Sequence, residues 1–166
     1  MKIKVILSRI CFWVGWPGSW LILRLSNRTR VLIVCGSEFL AVRSWLGSGD
    51  WGLPGGGLHR GEDPAVGAIR EVDEEVGLSI DGKQLSTIYS GRIYSKGLSY
   101  GAVIFGAVLG SKPKLNLQRL EIRDAKWVSI DDIQSALNLS PDVLNAIKQW
   151  QKLRACDTIS DNGQGF

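Results

Sequence analysis

Glu71, Glu74 and Glu75 are the residues whose type and spacing could do chemistry. On a helix, positions i, i+3 and i+4 share a face, so this spacing gathers three carboxylates and sets them opposite Val72 and Val76. Three negative charges so close repel one another. A hard divalent cation, which takes oxygen ligands and keeps several waters, would relieve that repulsion. The same residues would equally serve as a solvated acidic face in which Arg70 pairs with Glu74.

The segment before them carries Gly55, Gly56 and Gly57. Glycines let the backbone approach a ligand closely and adopt positive φ, so main-chain carbonyls or amides could join the carboxylates around a metal or a phosphate. The helix that carries the carboxylates is well punctuated: Asp63 is a good N-cap, Pro64 suits the first turn, and Gly77 supplies the left-handed stop. Ala65, Ile69, Val72 and Val76 fall at steps of four, three and four, which makes an apolar face for packing on a sheet. Gly67 breaks this good helix-forming sequence at a cost of about 1 kcal/mol relative to alanine.

Taken together, Gly56 to Leu78 reads G-x5-E-x7-R-E-U-x-E-E-x-G-U, with U aliphatic, and every specified position is matched: Gly56, Glu62, Arg70, Glu71, Val72, Glu74, Glu75, Gly77 and Leu78. This segment resembles the signature of the Nudix hydrolases, enzymes that split a diphosphate bond in a nucleoside diphosphate linked to another group. Trp51 to Gly56 is similar to the strand and loop leading into the family's box. Glu121 to Ile133, with Trp127, Val128 and Asp131, is similar to a later strand and helix start. The resemblance implies an α/β fold, a Nudix-type α/β/α sandwich with a mixed central sheet. It implies Mg²⁺, with Mn²⁺ as a substitute, held by Glu71, Glu74 and Glu75, with the Gly55 carbonyl and Glu62 as further ligands. Arg70 would orient the carboxylates, together with Glu62. The general base would be Glu71 or Glu121. The cation would neutralise the diphosphate and acidify a water, and a nucleoside monophosphate would be released. A non-catalytic nucleotide- or RNA-sensing module on the same fold is the alternative, and a degenerate box would favour it; this box is intact.

The remaining elements must form the platform. Val31 to Cys35 and Phe39 to Val42 flank Gly36, Ser37 and Glu38 and predict a two-stranded hairpin. Trp51 to Leu53 predicts a short strand, and further strands are expected at Gln84 to Arg92, Leu98 to Leu109 and Glu121 to Val128. A helical region from Asp131 to about Arg154 divides in two, because Ser140 and Pro141 form an N-cap and first-turn proline. Residues 30–155 are thus the expected catalytic domain, and residues 156–166 an expected disordered tail.

With 166 residues, 45% of them hydrophobic, the chain fits one domain with a sizeable core. Its formal net charge of +4 favours anionic partners, nucleotides and RNA among them, although no lysine or arginine run marks a dedicated basic patch. Cys11, Cys35 and Cys156 form no C-x-x-C pair, which argues against a disulfide framework or zinc site and favours a reducing cytoplasm. The single histidine, His59, excludes a multi-histidine metal site or a Ser-His-Asp triad within this chain. Residues 1–29 include an apolar stretch from Ile10 to Leu23 with Trp13, Trp16 and Trp20. It is too short to span a bilayer, and Arg9, Pro17 and the lack of a cleavage site argue against a secretory signal. Packing on the domain, or contact with a membrane surface, is what it suits. Trp45, Trp51, Arg43 and Tyr94 are candidates to stack on a base or clamp a phosphate, and core packing competes for each of them. Subgroup patterns for ADP-ribose and coenzyme A substrates are absent, which leaves the substrate as a nucleotide-derived small molecule.

Overall fold

The computed structural model describes residues 27–45, 49–95, 98–131 and 138–161. The N-terminal apolar stretch and the first of the two expected C-terminal helices lie outside the described residues.

Alternating apolar residues in strand β1 (Arg28–Cys35) feed two cores, one on each side of a sheet. Val31 and Ile33 join Leu40, Val42, Phe105 and helix α1 (Pro64–Val76), whereas Leu32 and Val34 join Phe39, Ala41, Ile104 and helix α2 (Pro141–Asp161). This is the period-2 pattern of a strand covered on both faces, and it builds the α/β/α layering. Strand β2 (Glu38–Ser44) returns antiparallel after Gly36, β3 (Ser86–Ser95) and β4 (Leu98–Val108) pair antiparallel, and β5 (Ile122–Ser129) lies on β2. The order is β3-β4-β1-β2-β5, with β1 and β4 parallel, so the sheet is mixed.

One irregularity builds the loop that matters. β1 and β2 are partnered only at Val34–Phe39 and Cys35–Glu38, next to their turn. Further along they part, and residues 52–56 fill the gap. Gly52 exchanges both backbone hydrogen bonds with Val42, while Pro54 and Gly56 carbonyls accept from the Val31 and Thr29 N–H groups at 2.9 and 3.0 Å. The expected strand at Trp51 to Leu53 is therefore reduced to isolated bridges with Val42 and Leu139.

Helix α1 starts and stops where its caps predict. The Asp63 carboxylate accepts from the Ala65 and Val66 N–H groups, and Gly77 takes φ 69°. Its packed seam is shifted from the expected one: Ala68, Val72 and Val76 are buried, and Ile69 lies at the margin. Gly67 has a steric reason to be there, because a β-carbon would collide with the Leu58 side chain and press on Glu62. The cost in helix propensity is offset by letting residues 58–62 lie against the helix.

Two elements differ at their ends. Gly82–Gln84 forms a 3-10 turn closed by Asp81, so β3 begins at Ser86 and not at Gln84. Helix α2 continues to Asp161, past Cys156, where the sequence reading begins its tail. Among the described residues no helix is long and apolar enough to cross a membrane.

Candidate active site

The glycine loop and α1 meet through one buried contact. The Gly55 N–H donates to Glu75 Oε2 at 2.8 Å. Gly55 has φ 131° and lies so close to β1 that a β-carbon would strike the Thr29 carbonyl and come within 2.9 Å of the Arg30 Cα. At Gly56 a β-carbon would fall on the Glu71 carboxylate. Gly55 requires glycine because its β-carbon would meet backbone at a positive φ, whereas at Gly56 the Glu71 side chain would have to give way.

The three glutamates do not share one outward face as the spacing alone suggests. Glu75 is only 9% exposed, while the Glu74 side chain is 53% exposed and Glu71 lies between them in exposure, against Gly56. The helix seam passes close enough to Glu75 to draw it inward, towards the loop. Burial, reinforced by the negative charges of Glu71 and Glu121, raises the Glu75 pKa from 4.5 to about 7, against the opposing pull of the Gly55 N–H and the Arg30 charge.

Arg70 organises the outer half of the cluster. Its Nε and Nη2 donate to the two oxygens of Glu62 at 2.8 and 3.0 Å, its Nη1 to Glu71 and Glu74 at 2.9 and 3.1 Å, and Nη2 also to the Gly57 carbonyl. Glu62 receives a further hydrogen bond from the His59 N–H. The Arg70 fork, then that N–H, lowers the Glu62 pKa to about 2, and the same contact raises that of Arg70.

The donor set separates positioning groups from available ones. Both Glu62 oxygens are engaged by Arg70 and His59. Glu71 and Glu74 each give one oxygen to Arg70, and Glu75 gives one to Gly55, so each retains an oxygen without a partner among the described residues. Oxygen donors of this kind fit a hard divalent cation. Among the described residues no three carboxylate, imidazole or thiol groups are already gathered as a cage.

A second loop brings Glu121 into range. The Asn116 and Gln118 N–H groups donate to the Val76 and Glu75 carbonyls at 2.9 and 3.0 Å, closing the C-terminal turn of α1. Gln118 in turn accepts from the N–H groups of Glu121 and Ile122, which fixes Glu121 at the start of β5 with its charge acting on Glu75.

The NUDIX domain model matches residues 18–150 of the chain. The chain belongs to the Nudix family. Nudix hydrolase 10 of Arabidopsis thaliana is 29% identical over 129 residues, covering 76% of this chain and 46% of that protein. A MutT-like protein of Streptomyces ambofaciens is 31% identical over 102 residues, 60% of each chain. The chain thus spans about half the length of the first relative and 60% of the second. Two solved structures share the Nudix fold. The MutT protein from Methanosarcina mazei Go1 has a TM-score of 0.66 at 22% identity, covering 78% of this chain and 95% of that one. A C. elegans Ap4A hydrolase binary complex has 0.65 at 20%, covering 78% and 98%.

Within this Nudix framework the sequence-selected residues converge unequally. Glu62, Arg70, Glu71, Glu74, Glu75, Gly55, Gly56 and Gly57 are assembled in one place, with Glu121 beside them. Trp51 is a core residue at 7% exposure, and Arg43 Nε is engaged by the Gly49 carbonyl. Trp45 is half exposed, and its N–H donates to the Glu121 carbonyl. Tyr94 stands in β3 opposite Ser99. Sequence reasoning missed Arg30, Asn116 and Gln118. An arginine directly before the apolar run Val31 to Cys35 is a readable signal for the first; backbone donors of a loop leave none.

Proposed function

We propose that the chain is a pyrophosphohydrolase that splits the diphosphate bond of a nucleoside diphosphate derivative and releases a nucleoside monophosphate, with Mg²⁺ as its cation and Mn²⁺ as a substitute. The observation that carries this reading is the distribution of oxygens: Glu71, Glu74 and Glu75 each keep one unpartnered among the described residues, while Glu62 keeps none. We assign the first three, with the Gly55 carbonyl, as the groups that would hold the cation, and Glu62 as a positioning residue acting through Arg70. A bound divalent cation would supply charge neutralisation at the diphosphate and acidify a water.

The protein's own groups have defined parts. Arg70 holds Glu71 and Glu74 in place from behind. Gly55 fixes the Glu75 carboxylate and, with Gly56, lets the backbone come close enough to form the site's floor. Glu121 is assigned as the acceptor of the water's proton, because its carboxylate makes no hydrogen bond to the described residues, whereas one Glu71 oxygen is engaged by Arg70 and the other is assigned to the cation. The lack of a C-x-x-C pair in the sequence, with Cys35 free among the described residues, supports action in a reducing cytoplasm.

The test is a panel of nucleoside triphosphates, dinucleoside polyphosphates and nucleotide sugars, assayed for phosphate release after added phosphatase, with and without Mg²⁺. Dinucleoside polyphosphates are included because one structural neighbour is an Ap4A hydrolase. Turnover that requires the cation is expected for at least one compound. Binding without turnover across the panel would instead favour the nucleotide-sensing module.

A further inference from the structure

Arg30 lies on β1 between the two backbone bonds that strap the glycine loop to the strand, since the Thr29 and Val31 N–H groups on either side donate to Gly56 and Pro54. Its Cα is the atom that a Gly55 β-carbon would crowd at 2.9 Å, and Gly55 is itself bonded to the buried Glu75. The side chain is half-buried, yet its guanidinium makes no hydrogen bond or ion pair with any described residue. Arg70, on the other side of the cluster, is saturated by Glu62, Glu71, Glu74 and Gly57. The two arginines therefore differ in kind: one is spent on positioning, the other has its donors to give.

A half-buried guanidinium keeps its charge and offers five donors in a planar fork to an acceptor ligand. Its fork matches two oxygens of a phosphate. We infer that Arg30 is a substrate-binding residue that clamps the diphosphate from the β1 side, opposite the carboxylates of α1. This rests on the hydrolase reading for the identity of the ligand. A competing role is charge balance alone, because the Arg30 charge also acts on Glu75. The two roles differ in what lysine can replace: a point charge suffices for balance and does not reproduce a bidentate fork.

The experiment is calorimetry with methylenediphosphonate, a diphosphate whose bridging carbon cannot be hydrolysed, in the presence of Mg²⁺. Wild type, Arg30→Gln and Arg30→Lys are compared, with Mn²⁺ affinity measured separately by electron paramagnetic resonance and folding by thermal melts. The expected result is diphosphonate binding weakened about tenfold or more in R30Q and only partly restored in R30K, with Mn²⁺ affinity held within about twofold. Wild-type diphosphonate binding in R30Q, full restoration by R30K, loss of Mn²⁺ affinity in parallel, or no diphosphonate binding by wild type would each overturn the inference. Should R30Q fail to fold, the comparison of R30K with wild type decides. A wild type that binds diphosphonate through Arg30 yet hydrolyses nothing in the substrate panel would sink the hydrolase reading and leave the clamp standing.

Discussion

Gly55 N and Glu75 Oε2 are joined by a buried hydrogen bond of 2.8 Å across twenty residues of sequence, and this contact ties the glycine loop to the inner carboxylate of the cluster. The loop can reach Glu75 because β1 and β2 separate and admit it between them. Glu75 can turn towards the loop because its neighbours Val72 and Val76 anchor that side of α1 in the core. Fold and candidate chemistry are thus coupled at a single pair of atoms.

Alanine at the two adjacent glycines should separate stability from activity. At Gly55 a β-carbon meets backbone, the Thr29 carbonyl and Arg30 Cα, at a φ of 131°, so nothing nearby can move aside. Gly55→Ala should destabilise the protein by about 1–3 kcal/mol in urea denaturation. At Gly56 the obstacle is the far end of the Glu71 side chain, which can swing away. Gly56→Ala should keep a near-wild-type melting profile while losing most Mg²⁺-dependent turnover. Equal stability losses in both would contradict this account.

The buried position of Glu75 predicts how stability responds to pH once divalent cations are chelated. Its folded pKa of about 7 lies above the ordinary 4.5, so the folded state retains a proton that the unfolded chain has released between those values. The corresponding stabilisation is complete below about pH 4.5 and is lost as pH rises towards 7, by on the order of 3 kcal/mol. Glu75→Gln removes the titration while its amide oxygen can still accept from Gly55, so its denaturation midpoints should show a flatter slope over this window. Adding Mn²⁺ to wild type should flatten it as well, and parallel curves for wild type and E75Q would refute the assignment.

The sequence made much of this legible for physical reasons that apply residue by residue. Asp63, Pro64 and Gly77 mark α1 because caps act locally, and both ends fall where they indicate. The unbroken apolar run from Val31 to Cys35 marks a strand, and the structure divides its residues between the two cores. What escaped notice depends on contacts between distant segments. The inward turn of Glu75 follows from where the Gly55 loop runs, and helical spacing alone places it with Glu71 and Glu74. Gly67 reads as a defect until Leu58 is seen against it. The loop donors Asn116 and Gln118 act through main-chain N–H groups, which every residue but proline carries, so nothing in their side chains announces the role.

Arg70 should not tolerate lysine. Two of its nitrogens form a fork on Glu62 while a third holds Glu71 and Glu74, a geometry that one ammonium group cannot reproduce. Arg70→Lys should lower kcat by about 10–100-fold with a stability loss of about 1 kcal/mol or less, since the group is partly exposed. Glu62→Gln should weaken turnover in the same direction and by less, because one oxygen still accepts from the fork. If E62Q abolished Mn²⁺ binding outright, Glu62 would have to be counted among the ligands.

Glu121 and Glu71 are separable by measuring metal affinity and turnover together. Glu121 is held at the start of β5 by Gln118, which is itself bonded to the Glu75 carbonyl, so a change in its side chain leaves the backbone that positions it intact. Glu121→Gln should therefore retain Mn²⁺ affinity and lose about 100-fold or more in kcat. Glu71→Gln should lose Mn²⁺ affinity and turnover together, because its free oxygen is assigned to the cation. A Glu121→Gln enzyme with wild-type kcat would return the role of base to Glu71.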